Sequence, residues 1–178
     1  MKIGKEILLL SLVTVSLLVL VGCGKKADED VSSDELIIEP LVGFESVRFG
    51  MSKDEITKYF GQPDKVHTQT NGTKLNYVAS KGLGFEVDSE LGLRKIQCWS
   101  KSWPEKLPFR VANFTGKTKE GIEIGSTREQ IISAYGQPDR TKFDDNKGVI
   151  EGLIYDKLLI NFSIWQDKVI SITLKAPE

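Results

Sequence analysis

Residues 50–64 read Gly-Met-Ser-Lys-Asp-Glu-Ile-Thr-Lys-Tyr-Phe-Gly-Gln-Pro-Asp, and residues 125–139 read Gly-Ser-Thr-Arg-Glu-Gln-Ile-Ile-Ser-Ala-Tyr-Gly-Gln-Pro-Asp. The two segments align without a gap and share the first glycine, the central isoleucine and the closing Gly-Gln-Pro-Asp. Internal repetition governs how the rest of a chain is interpreted, because each copy is expected to build the same unit. We therefore interpret most of the chain as two copies of one structural unit.

Each copy predicts a short helix with defined ends. Ser52 with Glu55, and Thr127 with Gln130, form the pattern of a capping box, which satisfies free backbone amides at a helix start. The Gly-Gln-Pro that closes each segment ends the helix, because glycine accepts a left-handed conformation and proline cannot continue the helical hydrogen bonding. A helix of about eight residues is not stable alone in water, so each helix must pack on a sheet.

Strand patterns follow each helix. After the first copy, an Asn71-Gly72 hairpin signal separates two strand segments, and Leu83, Phe85 and Val87 continue the alternation of apolar and other residues. The second copy is followed by a similar series. We predict an α+β fold of two tandem modules, each a short helix packed on an antiparallel β-meander. The predicted boundaries are residues 41–100 for the first repeat, 101–120 for a linker with a lead-in strand, and 121–178 for the second repeat.

A secretory leader precedes the repeats. Two lysines near the start are followed by an uncharged apolar run from residue 7 to residue 21, which is typical of a signal peptide. This run is shorter than the about 20 residues that a membrane-spanning helix needs. The Leu-Val-Gly-Cys that ends at Cys23 resembles the lipobox of bacterial lipoproteins. The resemblance implies cleavage between Gly22 and Cys23, so that residues 1–22 are a signal peptide, and acylation of the Cys23 thiol.

Residues 23–40 are predicted to form a disordered acidic tether. Aspartate and glutamate dominate this segment, and its apolar surface is too small to offset the entropy lost on ordering. The acyl chains would hold the mature chain on a membrane surface outside the cytoplasm. By resemblance to enterobacterial lipoproteins, Gly24 implies the outer membrane in a host with two membranes. In a host with one membrane, we expect the outer face of the cell membrane.

The composition argues against two classes of protein, nucleic-acid binders and disulfide-stabilised domains. The 178 residues carry a formal net charge of −1, with acidic and basic residues mixed along the chain, so no electrostatic footprint for nucleic acid is expected. The chain has two cysteines, and once Cys23 is acylated Cys98 has no intramolecular partner, which excludes a disulfide framework. Cys98 lies in a predicted strand, and we interpret it as a small buried core residue.

The two helix-and-turn segments, with the meander that follows them, resemble a bacterial envelope family. The motifs Gly-Met-Ser-Lys-Asp-Glu-Ile and Phe-Gly-Gln-Pro-Asp look like those of the SmpA/OmlA group, which includes the small lipoprotein of the outer-membrane barrel assembly machine. The tandem arrangement is similar to that of the secreted beta-lactamase-inhibitory protein, whose two repeats build a concave sheet that grips an enzyme. Because the matching residues are scaffold positions, the resemblance implies a fold more than an activity.

Few residues in the chain suit catalysis. His67, the single histidine, falls on a predicted solvent-facing strand, and no nucleophile elbow, phosphate loop or zinc-protease motif is present. We therefore predict a non-enzymatic protein with no cofactor and no metal. Asp64 and Asp139 are interpreted as turn residues. A carboxylate-based envelope hydrolase that uses them remains the alternative from another functional class.

Surface recognition is the remaining function. If Leu83, Phe85 and Val87 face the helix, the opposite sheet face carries tryptophans among polar residues, and tryptophan is enriched at protein-binding hot spots. The predicted partner-binding residues are Trp99, Trp103, Phe109 and Trp165. The tryptophans also have a structural interpretation, in which Trp99 and Trp165 cap strand ends and Trp103 fills the gap between the modules.

The sequence thus favours a lipid-anchored envelope protein that binds another envelope or secreted protein, or serves as a scaffold for it. A narrower alternative within the binding class is an inhibitor of a secreted or periplasmic enzyme.

Overall fold

The computed structural model describes residues 36–104, 107–144 and 150–178. The predicted signal peptide, the lipidation residue Cys23 and residues 23–35 of the predicted tether lie outside the described residues. Among the residues that are described, no helix combines the length and the apolar character needed to cross a membrane.

Eleven strands and three α-helices are described in chain order, with one 3-10 turn at Asp156–Leu158 between β9 and β10. They are β1 (Ile37–Glu39), β2 (Gly43–Phe44), α1 (Lys53–Phe60), β3 (Lys65–Gln69), β4 (Gly72–Tyr77), α2 (Val78–Lys81), β5 (Leu83–Asp88), β6 (Gly92–Trp99), β7 (Lys117–Thr118), α3 (Arg128–Tyr135), β8 (Arg140–Asp144), β9 (Ile150–Tyr155), β10 (Ile160–Trp165) and β11 (Lys168–Lys175).

Eight of these strands form one antiparallel sheet in the order β3-β4-β5-β6-β11-β10-β9-β8. The centre of the sheet is the pairing of β6 with β11, in which Cys98 is opposite Ile172 and Gln97 is opposite Thr173. A second, three-stranded sheet has the order β2-β1-β7, with β1 parallel to β7. The last strand of each half, β6 and β11, therefore meets the other in the middle of the large sheet.

The predicted capping boxes are confirmed at both eight-residue helices. In α1, the Glu55 amide donates to Ser52 Oγ at 3.4 Å, and the Ser52 amide donates to Glu55 Oε2 at 2.8 Å. In α3, the Gln130 amide donates to Thr127 Oγ1 at 3.2 Å, and the Thr127 amide donates to Gln130 Oε1 at 2.7 Å. Each helix ends at the predicted glycine, which has a φ of 78° in both copies. Local sequence chemistry thus defines both helices.

Both long helices pack on the same face of the large sheet. Phe60 of α1 lies 5.3 Å from Phe85 of β5, and Tyr135 of α3 lies 5.4 Å from Phe162 of β10, measured between ring centroids. Ile56 and Ile131, at corresponding positions of the two helices, are fully buried. Cys98 is a buried free thiol in this core, as predicted, and burial raises its pKa. Apolar residues from both halves form one hydrophobic cluster.

The predicted fold of two tandem helix-on-meander modules is wrong. The chain forms a single β-rich domain, because the four strands after α1 and the four strands after α3 join through β6 and β11 into one sheet over one core. Two separate meanders would leave β6 and β11 as open edges with unpaired backbone groups, and their mutual pairing removes both edges. Residues 101–120 contribute Phe114, Thr118 and strand β7 to the same body, so this segment does more than link two modules.

Candidate binding face

The face of the large sheet opposite the helices, which we call the outer face, carries the alternate residues of each strand. On β5 and β6, Leu83, Phe85 and Ile96 are buried towards the helices. The outward residues on these strands and on β10 are Gly84, Glu86, Gln97, Trp99, Asn161, Ser163 and Trp165. The predicted strand register therefore holds, and the tryptophans at 99 and 165 are on the outer face.

Trp99 is held against the outer face by a close approach to Gly84. A Cβ atom added to Gly84 would lie only 2.8 Å from two carbons of the Trp99 indole ring, so the ring covers the glycine backbone. The Trp99 amide donates to the Gly82 carbonyl at 2.8 Å, and the Trp99 carbonyl accepts from the Phe114 amide at 2.9 Å. Strand β6 and the segment after it thus fix the backbone that carries this indole.

The segment from residue 107 to residue 116 follows the end of the sheet beside α2. The Ala112 amide donates to the Val78 carbonyl at 2.9 Å. Asn113 Oδ1 accepts from the Lys101 amide at 2.8 Å, which ties the segment back to the end of β6. These bonds hold the alternating residues Leu107, Phe109 and Val111 beside the outer face.

Three of the four predicted partner-binding residues line one groove on the outer face, which we call the aromatic groove. It has a volume of about 390 Å³ and includes Trp99, Trp103 and Phe109. Phe109 is 55% exposed and lies beside other apolar lining residues, and contiguous exposed apolar surface of this kind marks interaction sites. Apolar Leu107 and Val111 also line the groove on the side of Phe109. The opposite side is lined by polar or charged residues, namely His67, Lys74, Asn76, Glu86 and Gln97.

Trp165 lies apart from the aromatic groove. It borders a different depression, of about 440 Å³, together with Ser100, Ser102 and Lys168. Strand β10 is two strands away from β6 in the sheet order, which explains the separation. The two tryptophans occupy similar outward positions in their strands but do not contribute to the same surface depression.

The polar side of the groove has a small ion network. Glu86 Oε1 lies 2.9 Å from Lys74 Nζ and 3.3 Å from Lys95 Nζ, and the three residues are register partners on β4, β5 and β6. Partial burial acts to raise the pKa of Glu86, but the hydrogen bonds and positive charges of the two lysines outweigh it, so the pKa is lowered. Glu86 is therefore ionised at neutral pH, and the network keeps an excess positive charge.

Asp64 and Asp139 hold turns, as interpreted from the sequence. Asp64 Oδ2 accepts from the Ala79 and Ser80 amides at 2.9 and 3.0 Å, and Asp139 Oδ2 accepts from the Asp156 amide at 2.8 Å. Neither carboxylate lines the aromatic groove. Among the described residues, no group of three or more His, Cys, Asp or Glu side chains is arranged to hold a metal ion. His67 is exposed on β3, at the polar side of the groove.

Several groove residues were not singled out from the sequence. The place of Lys74 in the groove becomes visible only when strand pairing puts it opposite Glu86. The importance of Gly84 becomes visible only when the Trp99 indole is seen to cover it. The period-two alternation of Leu107, Phe109 and Val111 was a visible signal of a segment with one apolar side.

No protein-family model matches the chain. A protein-ribulosamine 3-kinase of Arabidopsis thaliana chloroplasts is 28% identical over 92 residues, which is 51% of this chain and 26% of the kinase. The chain thus spans about a quarter of the length of this curated relative.

Two solved structures share part of the chain trace. An extracellular protein with an SCP domain from Bacillus anthracis has a TM-score of 0.43 and 11% identity, over 88% of this chain and 50% of that chain. A cysteine-rich secretory protein from Staphylococcus aureus has a TM-score of 0.40 and 15% identity, over 80% of this chain and 50% of that chain. These similarities assign neither a family nor an activity.

Proposed function

We propose that this chain is a lipid-anchored protein of the cell envelope that binds another envelope or secreted protein through the aromatic groove. The observation that carries the proposal is that Trp99, Trp103 and Phe109, from two different segments, line one groove on the solvent-facing side of the sheet. Aromatic side chains dominate the energetics of protein interfaces, because each buries a large area at a low cost in conformational entropy.

The composition of the groove favours a polypeptide ligand. Apolar side chains line one side, whereas Lys74, Asn76 and Gln97 supply donors and acceptors on the other. A central apolar patch with a polar rim is the usual anatomy of a protein-binding surface. Exposed Phe109 is the residue that a partner would cover most completely, since more than half of its surface faces solvent.

Binding rather than catalysis is supported by the roles of the carboxylates. Asp64 and Asp139 each accept backbone amides through Oδ2, which gives both carboxylates a structural role in turns away from the aromatic groove. We therefore propose a non-enzymatic function with no cofactor.

The anchoring part of the proposal depends on the leader sequence. Cleavage before Cys23 and acylation of its thiol would place the domain on the outer membrane, or on the outer face of the cell membrane in a host with one membrane. Replacing Cys23→Ala should abolish incorporation of labelled palmitate and leave the uncleaved leader detectable by mass spectrometry. An acylated Cys23→Ala variant, or wild-type protein with its leader and no fatty-acid mass, would contradict the anchor.

The groove is tested by co-purification from detergent-solubilised envelope of the native host. We expect Trp103→Ala and Phe109→Ala to lose the same specific partner, with each change reducing affinity by about tenfold or more, because both remove aromatic contacts at one site. Trp165→Ala is the matched control, since it removes an aromatic from the other depression. Retention of the partner by both groove variants, or its loss in the control alone, would contradict the proposal.

A further inference from the structure

A second concavity, which we call the basic pocket, lies on the same outer face in the half formed by β8 to β11. It has a volume of about 220 Å³, and its lining includes the three cationic residues Arg140, Lys142 and Lys175. Arg140 and Lys142 are two positions apart on β8 and so point to the same face of the sheet. Positive charge is concentrated here although the chain as a whole carries a net charge of −1.

This positive charge is only partly neutralised. Both oxygens of the Asp156 carboxylate are bound by the Arg140 guanidinium, with Nε 2.6 Å from Oδ2. Lys142 and Lys175 form no ion pair with any residue that the structure describes. Their charges nevertheless reach Asp156, because its pKa is lowered first by the hydrogen bond from Arg140 and further by both lysines. The pocket therefore contains three cations and one carboxylate.

Strand pairing places a further lysine beside the pocket. Lys175 on β11 is the register partner of Lys95 on β6. Lys95 also lies 3.3 Å from Glu86 Oε1, which screens part of its charge. The pairing of Lys175 with Lys95 therefore adds to the positive potential beside the pocket, and like charges on neighbouring strands favour an anionic ligand above them.

The floor of the basic pocket has unused hydrogen-bonding capacity. Asn161 Oδ1 is buried and has no hydrogen-bond partner among the described residues. Asn161 on β10 is opposite Thr173 on β11, and both residues line the pocket. Asn161 Oδ1 is an acceptor, and a buried acceptor without a partner costs free energy, so a ligand that supplies a donor here, such as the backbone amide of a peptide, gains affinity from it.

The basic pocket and the aromatic groove meet at one pair of residues. Gln97 lines the groove, Thr173 lines the pocket, and the two are register partners at the junction of β6 and β11. Gly84 in the groove and Asn161 in the pocket are separated by three strand spacings, which is about 14 Å. An extended polypeptide covers that distance in about four residues.

We propose that the partner binds with an extended acidic segment that crosses the strands, with an apolar side chain in the aromatic groove and a carboxylate about four residues away in the basic pocket. This inference rests on the proposed function and adds the chemistry and the orientation of the ligand. The carboxylate would bind at the Thr173 and Lys175 side of the pocket, and Lys142 would add to the positive potential there; neither lysine forms an ion pair with a described residue.

The test is selection of a phage-displayed library of random twelve-residue peptides on the full chain in detergent. We expect enriched peptides to share an aromatic or aliphatic residue with Asp or Glu about four positions away. The affinity of a selected peptide, measured by fluorescence anisotropy, should fall at least about fivefold in the Lys142→Gln/Lys175→Gln variant, and its dependence on salt should weaken. In Trp103→Ala, binding should be lost.

The matched control is Lys53→Gln/Lys58→Gln. These lysines are exposed on α1, on the helix side of the sheet, and their removal makes the same change in net charge. The control should bind the peptide as tightly as the wild-type chain.

The outcomes separate this inference from the proposed function. Peptides that require Trp103 but show no acidic preference and bind the Lys142→Gln/Lys175→Gln variant normally would overturn the acidic-segment inference and leave the groove in place. Acidic peptides that bind Trp103→Ala normally would contradict the groove as well. A selection without enriched peptides would overturn the extended-segment inference, whereas the groove would still be judged by co-purification with its folded partner.

Discussion

At the residue scale, the contact between Trp99 and Gly84 is a close approach that shapes the outer face. Any side chain at position 84 would meet the indole at 2.8 Å, which is closer than Cβ atoms approach their neighbours. The position of Trp99, and with it one wall of the aromatic groove, thus depends on a residue that has no side chain.

Gly84→Ala should therefore destabilise the domain by about 1–3 kcal/mol, because the indole must shift out of its packed position. Gly152→Ala is the control, since an added Cβ on β9 would meet nothing nearer than 3.7 Å. Chemical denaturation measures both changes, and tryptophan fluorescence reports the displaced ring. Equal stability of the two variants would contradict the packing described for Trp99.

The Glu86 network leads to a prediction about pH. The pKa of Glu86 is lowered from its ordinary value of 4.5, so its stabilising contribution is present above the unfolded-state pKa and is lost as the pH falls through the folded-state pKa. Glu86→Gln should cost less than about 1 kcal/mol at pH 7, because the group is partly solvent-screened. The difference in unfolding free energy between wild type and variant should shrink below pH 4.5. A difference that stays constant or grows on acidification would count against the network.

At the scale of elements, the helices follow from their own sequences. The capping boxes, the closing glycines and the buried isoleucines at 56 and 131 are all recognisable from residue type and spacing, because they act within a few residues of one another. The strand register was predictable for the same reason, since alternation records which side of a strand is buried.

The caps can be tested one helix at a time. Thr127→Ala should destabilise the domain by about 0.5–2 kcal/mol, because the Gln130 amide loses its acceptor. Ser133→Ala makes a similar change at an exposed interior position of the same helix and should be neutral or slightly stabilising, since alanine is the better helix former. Thermal or denaturant unfolding monitored by circular dichroism compares the two. A Thr127→Ala variant as stable as Ser133→Ala would contradict a stabilising role of the Thr127 cap.

At the scale of the whole molecule, the sequence did not reveal that one sheet contains all eight long strands. The pairing of β6 with β11 joins residues more than 70 positions apart, such as Cys98 and Ile172, and no local pattern records it. The alternation from Lys95 to Trp99 in β6 is the same as that expected of a half-buried edge strand, so it does not reveal whether the neighbour is solvent or another strand. The grouping of Trp99, Trp103 and Phe109 in one groove, with Trp165 outside it, follows from the same long-range geometry.

The single sheet predicts cooperative unfolding. Ile172 is fully buried at the junction, and Ile172→Ala should cost about 2–5 kcal/mol. Because both halves share one core, the change should lower hydrogen-exchange protection in β4 and in β9 alike, and fluorescence and circular dichroism should show one coincident transition. Loss of protection confined to one half, or two separate transitions, would indicate independent modules.

The binding role of the aromatic groove is tested most directly by photo-crosslinking in the native envelope. A photoreactive phenylalanine analogue would replace Phe109 in one variant and Phe143 in another, since both side chains are more than half exposed and Phe143 lies on the edge strand β8. We predict a discrete crosslinked protein from position 109, no such product from position 143, and loss of the product when Trp103→Ala is added. The absence of any product from position 109, or the same product from both positions, would contradict a partner bound in the groove.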